Sequence, residues 1–109
     1  MISVTQQDPS AARFHPRVDA NFMIKLKLNG KSVLAKARDL SMAGVCILGE
    51  FLGNAPDRLQ VVIPLPDDRE IVTGATVRRV NENELGVEFD QLDWDDMFAL
   101  ARFLHPRMA

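Results

Sequence analysis

Tyrosine is absent from this 109-residue chain, tryptophan and cysteine occur once each, and histidine occurs twice. A lone cysteine, Cys46, cannot staple the chain to itself, and its apolar strand-like surroundings mark it as core. Such cysteine usage suits a reducing compartment. Neither histidine, His15 or His105, stands near a carboxylate pair in sequence, so no Cys/His nucleophile and no zinc-ligand set stands out. Glycine-rich loops of the Walker or Rossmann kind are also missing. The expectation is a protein without catalytic chemistry, cofactor or metal. No apolar run approaches the roughly 18 residues that span a bilayer. Met1–Ala12 has neither the basic nor the apolar region of a signal peptide. Both readings point to a cytoplasmic protein with no membrane insertion. Few aromatics and a net charge of −2 leave no basic groove lined with stacking platforms. A DNA or RNA partner is therefore not expected, and a single-strand-binding barrel is the weakest of the readings considered.

What is present begins with charge asymmetry. Residues 1–49 carry 7 Lys+Arg against 3 Asp+Glu, and residues 50–109 carry 6 against 12, giving +4 and −6. A small dianion can find a positive field in the first half while the whole chain stays acidic. Lys25, Lys27, Lys31 and Lys36 are also explained as solvated residues on outward strand faces.

Apolar residues alternate from Asn21, with Phe22, Ile24, Leu26 and Leu28 on one face, which is the period of a half-buried strand. Asn29-Gly30 then marks a two-residue hairpin, because both residues tolerate positive φ. Further strands are predicted over 32–40, 45–48, 59–65, 71–80 and 85–89. Between them lie a loop or short helical turn over 49–56, a turn at Asp67-Asp68-Arg69 and a hairpin loop at 81–84. No strand–helix–strand spacing occurs, so the sheet is expected to be antiparallel. Six strands in so short a chain favour a closed β-barrel, which leaves no exposed edge. Asp93 reads as the N-cap of a C-terminal helix, with Asp95 and Asp96 in its first turn. Trp94, Met97, Phe98, Ala101 and Leu104 recur at helical spacing before Pro106, and that face is expected to pack on the barrel. Met1–Ala12 reads as a flexible tail before one domain over 13–109.

Two short motifs concentrate polar chemistry. Arg13-Phe14-His15-Pro16-Arg17 spaces two guanidinium forks four residues apart, in a segment that Pro16 keeps extended. Such forks suit oxygens and ring nitrogens that accept in pairs, as phosphate and the guanine edge do. Two solvated arginines beside a loose terminus would give the same spelling. The second motif, Asp39-Leu40-Ser41-Met42-Ala43-Gly44, puts a carboxylate, a hydroxyl and a glycine on one bend between strands. Asp39 can serve there as a plain turn-former, and Gly44 as a plain turn glycine.

In order and spacing, the two motifs and the barrel-like pattern after them resemble the PilZ domain family, bacterial receptors for the second messenger cyclic di-GMP. Gly74-x-x-Val77 and Leu85-Gly86-Val87-Glu88-Phe89 add to the resemblance, which runs from Arg13 to the C-terminal helix. It implies a six-stranded antiparallel barrel of the split-barrel type with the helix packed on it. It also implies that Arg13 and Arg17 hold phosphate and the O6/N7 edge of a guanine, while Asp39 accepts from N1–H and N2–H₂. Adenine offers no such donor pair, so the contact would exclude cyclic di-AMP. Ser41 would bond base or phosphate, and Gly44 would turn the chain where a side chain would collide. Arg79 stands near a position where the family often presents an aromatic or arginine beside the ligand, and His15 could touch base or phosphate. Many members carry a further arginine where this chain has Ala12, which leaves ligand stoichiometry open. The implied function is a receptor that orders its Arg13–Arg17 loop on cyclic di-GMP and signals to a protein effector in motility or biofilm control. The alternative is a protein-binding adaptor of pilus or motility machinery that takes no nucleotide.

Overall fold

Period-two alternation in the first half of the chain becomes a continuous ribbon of paired strands. The computed structural model describes residues 16–49 and 56–107. It contains β1 (Val18–Leu28), β2 (Lys31–Leu40), β3 (Gly44–Leu48), β4 (Arg58–Leu65), β5 (Arg69–Val80), β6 (Glu84–Phe89) and helix α1 (Trp94–Leu104). A single 3₁₀ turn, His105–Arg107, follows the helix. All pairings are antiparallel, and the order β1-β2-β3-β6-β5-β4 closes on itself as a barrel. The expected tail Met1–Ala12, and residues 50–55 of the expected loop, lie outside the described residues.

Turn chemistry sets the register. Asn29 and Gly30 both take positive φ, 49° and 83°, so Leu28 pairs with Lys31 across a two-residue link. The β4–β5 turn uses Pro66, Asp67 and Asp68, with both aspartates left-handed at φ 68° and 58°. Arg69, expected in that turn, instead begins β5 opposite Leu65. At the other end β1 starts at Val18, three residues before the alternation becomes visible. The strand carries an extra residue between Asp19 and Phe22, and Asn21 takes φ 56° there, a conformation that asparagine tolerates.

Inward residues of every strand fill the barrel, with Ile24, Leu26, Ala37, Ile47, Val61, Ile63, Ile71 and Leu85 fully enclosed. Leu100 and Leu104 of α1 join that cluster. Burying each leucine contributes about 1.5–3 kcal/mol. Phe22 of β1 stacks on Phe103 at 5.8 Å between ring centroids, and the Arg107 guanidinium lies 4.0 Å from the centre of the Phe103 ring. Asp93 caps the helix as expected, its side chain accepting from the Asp96 N–H at 2.8 Å.

The helix face is only partly the expected one. Trp94 is 72% exposed and Phe98 63%, so neither packs in the core. Leu104 docks as expected, and Leu100 and Phe103 join it in place of the two aromatics. Rotating the buried stripe by about one position satisfies the same 3.6 period, and two leucines with a stacked phenylalanine fill the barrel end. Cys46 is buried, but outside the central cluster. It alternates with the inward-facing Val45 and Ile47, so its side chain lies on the outer wall.

Candidate functional site

Five strands meet in one circumferential row. Asp19 of β1 pairs with Asp39 of β2, Asp39 with Cys46 of β3, Cys46 with Gly86 of β6, and Gly86 with Arg79 of β5. Three β-bulges border this row, between Asp19 and Phe22, Ala37 and Asp39, and Val77 and Arg79. Bulges add a residue to one strand and re-aim the side chains around it. Here Ala37 and Leu40 point into the core while Arg38 and Asp39 both reach the outer wall. Without the extra residue, alternation would send one of the two inward.

The first motif enters at the end of this row. Val18 pairs with Leu40, so Arg17, exposed and one residue earlier, leaves the barrel beside Ser41. Arg13 and His15 lie outside the described residues. The structure thus brings Arg17 and the Asp39–Gly44 turn together, and it places Asp39 on the wall of the barrel.

Within the turn the three motif residues divide their work. Ser41 is 5% exposed; its hydroxyl oxygen accepts from the N–H groups of Ala43 and Gly44 at 3.0 and 3.2 Å. Its own N–H donates to the Gly44 carbonyl at 2.9 Å. The hydroxyl therefore ties the bend shut from inside. Gly44 is needed for a close approach between strands, since a Cβ there would stand 2.0 Å from the Val87 carbonyl oxygen. The β3–β6 ladder, with Gly44 opposite Glu88, is what a side chain would hit. Asp39, its side chain 13% exposed, is the acidic group of the motif that faces the wall.

Ion pairs frame it. Arg38, the extra residue of the β2 bulge, lies 3.5 Å from Asp39 and also pairs with Glu84. Arg78, the extra residue of the β5 bulge, pairs with Glu88 at 2.6 Å. Glu84, Gly86 and Glu88 alternate outward along β6, so two anchored acids stand on either side of a glycine. The Arg79 side chain lies against Gly86, within 3.5–3.7 Å of where a Cβ would be. Arg79 takes part in no ion pair among the described residues. Gly86 and Cys46 thus stand between Asp39 and Arg79 in the row, with Cys46 only 4% exposed and the Arg79 side chain resting over Gly86. A carboxylate and a guanidinium therefore share one stretch of the wall.

Gly74 has a local reason of the same kind. The Asp90 carboxylate occupies the space beside it, 2.6 Å from an added Cβ, and Arg58 and Thr76 hold that carboxylate. Sequence reasoning picked out Asp39, Arg17 and Arg79. It did not pick out Cys46 and Gly86 as neighbours in the row, or the framing pairs, because bulge positions and cross-strand neighbours depend on the register of distant strands. The pairing of Arg38 and Arg78 with glutamates of one strand had no local signal.

A profile described as PilZ domain matches residues 11–105. Among solved structures, the chain resembles the Bacillus subtilis inhibitor of motility MotI/DgrA, with TM-score 0.74 and 19% identity over 94% of this chain and 51% of that one. It resembles the PilZ domain of YcgR from Escherichia coli, solved with c-di-GMP, with TM-score 0.71 and 14% identity over 85% and 88%. It also resembles PlzA of Borreliella burgdorferi in complex with c-di-GMP, with TM-score 0.58 and 17% identity over 94% and 38%. The chain spans about half of MotI/DgrA and less of PlzA. No curated protein matches it. No helix among the described residues is long and apolar enough to cross a membrane.

Proposed function

The chain belongs to the PilZ domain family, and from that premise we propose that it is a cyclic di-GMP receptor whose ligand lies on the barrel wall between Arg17, Asp39 and Arg79. The observation that supports the reading is the β1–β2 register, Val18 opposite Leu40, which sets Arg17 beside the Asp39 turn. Two structural neighbours are described with c-di-GMP, YcgR and PlzA, which supports the same ligand class.

Each residue then has a task. Arg13 and Arg17 bind phosphate and the O6/N7 edge of guanine in bidentate fashion. Asp39 accepts from N1–H and N2–H₂, and Arg79 stacks on or pairs with the second base. Ser41 and Gly44 act through the bend and the strand approach they impose, with His15 as a neighbour in the leader. Ligand binding orders residues 13–17 over the wall, and the new surface is read by a protein effector. In this reading the domain over 13–109 is a binding and regulatory module in the cytoplasm, without catalytic chemistry, cofactor, metal or nucleic-acid partner. Motility or biofilm output is the process proposed, in keeping with the inhibitor of motility among its neighbours.

Isothermal titration tests it. Wild type should bind cyclic di-GMP and ignore cyclic di-AMP. Arg17→Ala removes two charge-assisted hydrogen bonds and should cost about 3 kcal/mol or more of binding, with the thermal midpoint unmoved. No heat from wild type at tens of micromolar ligand would reject the reading. The adaptor alternative predicts effector capture that is indifferent to cyclic di-GMP.

A further inference from the structure

Helix α1 turns its large aromatics away from the barrel. Trp94 and Phe98 lie four residues apart, on one face, with ring centroids at 6.2 Å. Beside Phe98 runs a cleft of about 320 Å³ lined by Arg69, Asp95, Phe98, Ala99 and Arg102. Arg69 is held at its rim by Asp96 at 3.2 Å. Exposing two adjacent large aromatics is unfavourable for an isolated domain, and contiguous patches of this kind mark contact surfaces.

The pattern of this ridge is self-complementary. Asp95 and Arg102 are seven residues apart, two helical turns on the same side, with Phe98 and Ala99 midway between them. We propose that this face docks a second copy of the chain through an antiparallel α1–α1 pair. A two-fold axis between Phe98 and Ala99 sets Asp95 of one copy against Arg102 of the other, twice, as an isologous interface requires. It sets Phe98 against Ala99, whose small side chain leaves the neighbouring cleft open to receive the partner's ring. Trp94 lies toward the C-terminal end of the opposite helix. A ridge carrying only acids would call for a basic partner. One that carries its own counter-charge at the symmetric position fits itself. Aromatic side chains bury about 150–250 Å² each. Four of them, already partly covered in the single copy, supply roughly 600 Å², and the flanking Asp95, Ala99 and Arg102 bring the pair toward about 1,000 Å². That stands at the lower limit for a specific interface, so the dimer is weak and depends on concentration.

Sedimentation equilibrium of the full chain, from low micromolar to several hundred micromolar, reads the mass directly. Trp94 is the one tryptophan in the chain, so its emission reports the same surface. The expected result is a rise toward twice the monomer mass with a blue shift of that emission. Phe98→Glu should weaken association by about tenfold or more. Asp95→Arg and Arg102→Asp should each weaken it by a similar factor, through like charges across the axis, and the double exchange should restore it to within about threefold of wild type. Far-UV circular dichroism checks that each variant keeps its helix. A wild type that stays monomeric throughout overturns the proposal and leaves the face to another protein. A dimer that survives Phe98→Glu, or a double exchange that restores nothing, overturns it equally.

Discussion

Replacing Gly44 by alanine separates two reasons for the glycine. If Gly44 serves strand packing, the added methyl meets the Val87 carbonyl oxygen at 2.0 Å, and the Glu88 Cα and Val87 carbonyl carbon at 3.1 Å. All three are backbone atoms of β6 and cannot swing aside as a side-chain tip can. The strands must part by more than 1 Å locally, as an ordinary contact is roughly 3.5–4.0 Å. Overpacking of this kind costs about 1–3 kcal/mol. Parting also strains the Phe89 N–H bond to the Ala43 carbonyl, now 2.8 Å, and the neighbouring ladder bonds, at about 0.5–1.5 kcal/mol each. The sum is about 2–5 kcal/mol, a large fraction of the stability of a domain this size. Thermal melting followed by circular dichroism should show the midpoint falling by roughly 8–16 °C, taking about 4–8 °C per kcal/mol at the low end of that cost. A midpoint within a few degrees of wild type, with cyclic di-GMP binding abolished, would refute the packing argument. Gly44 would then be kept for the ligand alone.

Ser41→Ala should lower stability by about 1–3 kcal/mol, because the Ala43 and Gly44 N–H groups lose a shared acceptor; urea denaturation should move the midpoint without changing the slope. Gly30→Ala meets no neighbour but forces φ +83° on a residue with a Cβ. It should cost about 1–2 kcal/mol, read in the same urea titration. Arg38→Gln removes an ion pair whose arginine is half exposed and should change stability by less than about 1 kcal/mol in a thermal melt. A larger loss would show that the Asp39–Arg38–Glu84 frame supports the wall.

Local chemistry made much of the barrel readable. Asn29-Gly30 announces its own hairpin, and the alternation in 22–28 names the inward residues, because both signals reside in adjacent positions. Asp93 likewise marks the helix start. The helix face was readable only in part. Leu104 follows from the helical period, whereas Trp94 and Phe98 have the spacing and size of core residues, yet Leu100 fits the barrel end, and only the shape of that end decides between them. The same limit applies to the site. Asp39 and Arg17 stand out as residue types in a pattern. Gly86 and Cys46, next along the row, and the glutamates that anchor Arg38 and Arg78, are brought there by pairings between distant segments, such as Cys46 with Gly86, 40 residues apart. For Gly44 the spelling was informative, whereas its physical reason lay across the sheet in Val87.

A row assembled from β1, β2, β3, β6 and β5 exists in no fragment of the chain. A nascent polypeptide still short of Gly86, or a piece clipped between β3 and β5, holds every letter of both motifs and has nowhere to arrange them. Competence at this wall is thus all-or-none: it arrives with the last strand and departs with the first one to fray.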